Sequence, residues 1–301
     1  VLAMIKLTLP NTSFIDSYDT CLRDIPTSEV NLLTKLRSAR VAISTQSAMY
    51  SVRAQTNNLH LFEHLDQGRP HQIAIVGGSG ITKGELVNLY SDTFLNPKNS
   101  CRYIYDEIKL SSSGHCSLCI TGTVSTLDHV LPKAYYPVFS VDPQNLVPAC
   151  SDCNKGKGSS LLRTKSEHAL HPYFSDQIFY DENWLYAEVH VGTPVVVTFS
   201  VAPPAHWTDL QKEVVRNHFN SFKLGAKYSI FVTSHISSAI DTVENMINNN
   251  SSTVADIKTH FSEMAAKRSN VNSPVKIMFE ALARSDWFCS SPRKHSNFDL
   301  L

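Results

Sequence analysis

The sequence predicts an α+β fold: mainly helical flanking regions around a central cysteine-pinned core, then a β-hairpin and a C-terminal helical bundle. Three observations predict it. Apolar residues recur at helical spacing toward both ends, at Leu32, Leu33, Leu36, Ala39 and Ile43, and again at Leu210, Val214, Val215 and Phe219. Residues 184–201 hold two β-rich runs, W-L-Y-A-E-V-H-V and V-V-V-T-F-S-V, split by Gly192-Thr193-Pro194. Between the flanks stand two Cys-x2-Cys pairs, Cys116/Cys119 and Cys150/Cys153. The expected division is 1–80, an N-terminal helical region; 81–182, the core; and 183–301, the hairpin with the C-terminal helices.

Length and composition fit a globular chain. The 301 residues are 42% hydrophobic and 18% charged, with ample material for a core. The formal net charge is zero, which argues against a large DNA-wrapping surface. A small basic cleft remains open to the chain: between Asn154 and Lys165 stand Lys155, Lys157, Arg163 and Lys165, and no acid. Seven cysteines, with Cys21, Cys101 and Cys289 widely spaced outside the two pairs, do not form a secreted disulfide framework and suit a reducing cytoplasm. The opening V-L-A-M-I-K-L-T-L-P is interrupted by Lys6 and Pro10. It is too short for a signal-peptide core and reads as a first strand. No apolar run approaches bilayer length, so no membrane association is expected.

In chain order, residues 13–66 read as helical, with Ser28 opening the helix that carries Leu32 to Ile43. This region is expected to be scaffold; the sharper reading makes Tyr50, Leu59, Leu61 and Phe62 a docking surface. Residues 69–84 break the pattern. Gly77, Gly78, Gly80 and Lys83 invite a phosphate-loop reading, but Thr82 precedes the lysine and Gly84 follows it, so the spacing fails. Thr82-x-x-Glu85 is a capping box that starts a helix through Leu86, Leu89 and Tyr90. A further helix is expected over Arg102–Leu110, stopped by Ser111-Ser112-Ser113-Gly114.

Beyond the core, H-P-Y-F-S-D at 171–176 reads as a packing turn, and His168 and His171 as structural. Thr208-x-x-Gln211 is a second capping box. Later helices are expected over 230–247, closed by Asn248-Asn249-Asn250; over 253–267; and from Ser273-Pro274, a cap followed by proline at the first helical position. Arg293, Lys294 and His295 form a small basic cluster in a polar tail.

The stretch from Cys116 to Lys157 carries the chemistry. Four thiolates from two knuckles make a closed tetrahedral zinc site with no position left for substrate, so the Zn2+ is expected to be structural. The groups it clamps together are Asp128, His129, Asn145 and Asn154. Adjacent strand residues face opposite ways, so Asp128 and His129 can share a target only if their strand is distorted.

These residues, in L-D-H-V-L-P, N-L-V-P-A-C and C-S-D-C-N-K-G-K, resemble an HNH endonuclease of the ββα-metal class in its zinc-stapled form. One departure is Asn154, where the family often has His. The resemblance implies phosphodiester hydrolysis of DNA. It makes His129 the general base and Asp128 and Asn154 the ligands of a catalytic Mg2+ or Mn2+. Asn145 would tie the loop and fix His129, and Lys133, Lys155 and Lys157 would meet backbone phosphates. It further implies an effector of restriction or anti-phage defence, acting beside a partner protein such as an ATPase or as a homo-oligomer. The alternative is a non-catalytic zinc module that binds nucleic acid or protein; on the cysteine pairs alone that would be the better reading.

Overall fold

The computed structural model describes residues 6–74, 78–158, 160–192 and 194–290. Among them, two antiparallel two-stranded sheets stand within a largely helical chain, an α+β fold. The chain forms two compact units. One is Lys6–Leu118 with Gly122–Ser175; the other runs from Asp176 onward and takes in Cys119–Thr121. Val1–Ile5, most of the expected first strand, Gly77, Thr193 and the Arg293-Lys294-His295 cluster lie outside the described residues.

In the first unit, α1 (Phe14–Asp24) opens at Ser13, whose hydroxyl accepts from the Asp16 amide. Helix α2 (Val30–Ala48) begins one residue later than the sequence suggests: its cap is Glu29, not Ser28, and no side chain caps it. The expected stripe is buried at Leu33, Leu36, Ala39 and Ile43. The Tyr18 hydroxyl, donating to the Leu36 carbonyl at 2.9 Å, ties α1 to α2 inside the core.

Helix α3 (Tyr50–Gln55) and a 3-10 turn at Leu59–Leu61 follow. The docking-surface reading fails here. Tyr50, Leu59 and Phe62 are buried, and only Leu61 of the four faces solvent, at 58% exposure. These side chains are scaffold because their rings pack inward, Tyr50 and Phe62 both against Phe139.

Helix α4 (Lys83–Asn88) has the predicted capping box and runs on into a π-helical turn at Leu89–Phe94. Lys83 points inward and donates to the Asp66 carbonyl at 2.6 Å. Helix α5 (Arg102–Leu110) has the predicted bounds, with Ile104, Tyr105 and Ile108 buried. Strand β1 (Thr126–His129) then pairs antiparallel with β2 (Leu146–Ala149), from Thr126↔Ala149 to His129↔Leu146, and α6 (Ser151–Lys157) follows directly. Gly158, with φ of 61°, ends α6 in the left-handed region that glycine adopts without strain.

The second unit holds α7 (Ile178–Asp181) and the predicted hairpin, β3 (Leu185–His190) with β4 (Val196–Val201), in register from Leu185↔Val201 to His190↔Val196. Helix α8 (Asp209–Ser221) has the Thr208 capping box. The single helix expected over 230–247 is instead two, α9 (Leu224–Phe231) and α10 (Thr233–Asn250), so the asparagine run lies within α10 rather than closing it. The apolar stripe does not cause the break, because buried Leu224, Tyr228, Val232, Ile236 and Ile240 follow at four-residue spacing straight across it. The junction is a backbone departure at Val232, whose φ of −83° and ψ of −3° lie off the ideal helical values.

Helices α11 (Val254–Ala266) and α12 (Pro274–Arg284) sit where expected; Thr253 caps the first through its side chain, Ser273 holds the N-cap position of the second without a side-chain bond, and a short α13 (Asp286–Ser290) follows. Buried Asn272 organises the approach to β3. Its Oδ1 accepts from the Trp184 amide, and its Nδ2 donates to the Phe179 and Glu182 carbonyls.

Candidate metal centre and catalytic site

The first knuckle closes by two backbone bonds, Cys116 N to the Gly122 carbonyl at 2.8 Å and Thr121 N to the Cys119 carbonyl at 2.7 Å. Between them Ile120 has φ of 59°. A β-branched residue rarely enters that region, and here it does so where the chain reverses immediately after Cys119. The second knuckle starts α6: Cys150 is its N-cap, and its sulfur accepts from the Cys153 amide at 3.4 Å. The Ser117 amide and hydroxyl both donate to the Pro148 carbonyl, so the residue after Cys116 is pinned to β2 two residues before Cys150.

All four cysteines are buried, and their sulfurs lie within 4.8 Å of one another. Tetrahedral Zn2+ with Zn–S bonds of about 2.3 Å would space them about 3.8 Å apart. The donor set therefore suits a closed zinc site, as the spacing predicts.

The candidate catalytic residues come from β1, the β1–β2 connection and α6. Asp128 and His129 are both buried, and they turn to different partners. The Asp128 carboxylate receives the Lys157 ammonium at 3.0 Å. Burial pushes its pKa up, and Lys157 opposes that rise. Lys157 also donates to the carbonyls of His129 at 2.7 Å and Val130 at 3.0 Å. Its charge is therefore spent inside, on three oxygens of β1 and the residue after it.

The His129 ring is 8% exposed and stands edge-on to Tyr90, with centroids 4.5 Å apart. Its Nε2 lies 2.9 Å from the Ser140 carbonyl. A carbonyl only accepts, so Nε2 carries the hydrogen, and neutral imidazole then leaves its lone pair on Nδ1. Burial, with Lys133 and Lys157 nearby, lowers the His129 pKa to about 3.

Asn145 is fully buried and satisfied on both sides. Its Oδ1 accepts from the Leu131 amide and the Tyr50 hydroxyl; its Nδ2 donates to the carbonyls of Leu131 and Phe139. It thus ties the loop between the strands, and it reaches His129 at one remove, because Phe139 precedes Ser140. Asn154 is half-buried on α6, one turn before Lys157, and Lys155 is exposed. Lys133 lies over the Tyr90 ring and donates to the Ser91 hydroxyl, leaving it less free for phosphate than the sequence suggests.

His171 packs among Tyr50, Tyr173 and Phe174, and His168 meets His60 at 3.3 Å, both within the protein interior. Ser140 and Tyr90 carry no signal in the sequence. Ser140 acts through its backbone, and Tyr90 reads as one more apolar residue of a helix.

No family model matches the chain, and no solved structure matches it. The chain is similar to "Protein ea31" of Escherichia phage lambda, 27% identical over 297 residues, covering 95% of this chain and 99% of the phage protein. Among the described residues, no helix is long and apolar enough to cross a membrane.

Proposed function

We propose that this chain is a metal-dependent endonuclease that hydrolyses DNA phosphodiester bonds, with His129 as general base. One observation carries the reading: the hydrogen bond from His129 Nε2 to the Ser140 carbonyl fixes the tautomer whose Nδ1 can take a proton from water. Asp128 adjoins it in sequence, and α6, which bears Asn154, is fastened to β1 through Lys157. Zinc on the four sulfurs would hold strand and helix together and take no part in the reaction.

Asp128 and Asn154 offer hard oxygen donors, and a cation at Asp128 would share its carboxylate with the Lys157 ammonium and the His129 amide. A divalent ion there would neutralise charge on the scissile phosphate and the leaving oxygen. His129 is uncharged at neutral pH, the form a base requires. An incoming phosphodiester brings negative charge that opposes the two lysines and raises its basicity. Incubation of supercoiled plasmid with the protein and Mg2+ or Mn2+ tests the proposal. His129→Ala should lose about a hundredfold or more of the nicking rate; equal rates for variant and wild type would end it.

The Lys157–Asp128 contact and the burial of His129 favour a second reading, a zinc-pinned binding scaffold in which the lysine only neutralises a buried carboxylate. Mn2+ titration of the zinc-loaded protein separates the two. The nuclease reading requires a weaker second site that Asp128→Asn removes; the scaffold reading requires none.

A further inference from the structure

A cleft of about 430 Å³ opens in the first unit, lined by His64, Asp66, Gln67, Arg69, Tyr135 and Arg163, among others. Its walls are fixed from behind. The Lys83 ammonium holds the Asp66 carbonyl at 2.6 Å, and the Gln72 side chain accepts from the Asp66 amide at 3.1 Å. Leu65 N donates to the Tyr135 carbonyl at 2.8 Å, and the Tyr135 hydroxyl donates to Gln67 Oε1 at 2.9 Å. Arg163 has its backbone amide anchored by Glu167 at 2.7 Å.

The charged ends are held less firmly. Arg69 is 72% exposed and pairs with Asp66, itself 61% exposed, a contact worth little in water. Arg163 is exposed, and so is His64. Two guanidiniums, one carboxylate and two rings therefore line a prebuilt wall, with net positive charge.

The cleft's position is set by the chain. Tyr135 stands six residues after His129, at most about 22 Å away along an extended backbone. Leu161, another lining residue, is four residues beyond Lys157, which grips Asp128. Nucleic acid rises about 3.4 Å per nucleotide, so a strand held at His129 reaches the cleft within about six nucleotides.

We infer that this cleft is a second contact site for the nucleic-acid backbone: Arg69 and Arg163 take phosphates flanking the bond at His129, and Tyr135 and His64 present ring faces to the strand. This rests on the nuclease reading for its ligand. It adds a local cationic track to a chain of zero net charge.

The test is binding of a labelled duplex of about two helical turns to the zinc-loaded full chain, without Mg2+ or Mn2+, by fluorescence anisotropy across a salt series. Arg69→Ala/Arg163→Ala should weaken binding about tenfold or more near physiological salt. It should also flatten the log–log salt slope by about 1.8, two phosphate contacts at about 0.9 each. Asp66→Asn, which removes the opposing carboxylate, should tighten binding. Unchanged affinity and slope in the double variant overturn the cleft assignment even if the protein cuts DNA. Weakened binding in the double variant, together with a wild type that never cuts, keeps the cleft and removes the nuclease reading alone. A wild type that binds no DNA removes both.

Discussion

Lys157 Nζ lies 3.0 Å from Asp128 Oδ2, joining the last turn of α6 to the strand that carries the candidate base. Both side chains are largely buried, so the pair is more than a surface contact. Removing one partner leaves the other charge uncompensated in the interior. Lys157→Met should cost about 3–5 kcal/mol. Lys157→Met with Asp128→Asn should regain most of it, because no orphan charge remains. Urea unfolding of both variants and of Asp128→Asn alone closes the double-mutant cycle; additive losses would show that the two residues do not act as a pair.

The four sulfurs should bind one zinc per chain. Structural zinc contributes on the order of 10 kcal/mol to small zinc-stabilised folds, comparable to the whole stability of a domain. Cys153→Ala should therefore abolish zinc retention and unfold at least the β1–β2–α6 region. Metal analysis beside circular dichroism is the measurement, and a variant that keeps wild-type metal content and wild-type melting would contradict the assignment.

Asn145 and Asn272 play parallel parts in the two units, each bonding several backbone groups through one buried amide. Truncation strands those groups without water. Asn145→Ala and Asn272→Ala should each cost about 2–4 kcal/mol, from several orphaned partners at about 1 kcal/mol or more apiece. Thermal melts check the cost. Only Asn145→Ala should also alter the His129 environment, read from its imidazole NMR signals.

Acid should destabilise the first unit through its buried histidines. Burial lowers His168 to about 4 and His171 to about 3, below the ordinary value of 6.5. Between those values the unfolded chain binds more protons, so each histidine's contribution is complete above about pH 6.5 and is lost as pH falls toward its folded value. Asp142, raised to about 6 by burial, works the other way between its ordinary 3.8 and 6. His168→Gln should therefore flatten the stability–pH curve by up to about 1.4 kcal/mol per pH unit below pH 6.5. Urea midpoints across that range, compared with wild type, decide it.

The local signals in the sequence served well where chemistry is carried by neighbours in the chain. The boxes at Thr82 and Thr208, the proline after Ser273, the 185–201 hairpin and the four cysteines all stand where their spacing put them. What spacing could not show was decided by tertiary packing. Tyr50 and Phe62 read as ambiguous apolar residues until Phe139 closed over them. The break between α9 and α10 falls at Val232, inside an apolar stripe that is continuous in the sequence. Lys157 read as a phosphate contact because nothing in C-N-K-G-K reveals that its reach ends on Asp128. The carbonyl that holds His129 belongs to Ser140, and a main-chain acceptor has no letter in the sequence.

Ser140 grips in two directions, its carbonyl on the His129 ring and its hydroxyl on the Leu86 carbonyl of α4, at 2.9 and 2.7 Å. One buried residue with both hands engaged leaves no slack between that helix and the imidazole. Displacing α4 would therefore move the carbonyl that orients the imidazole, so a change at that helix reaches the His129 ring through a single residue.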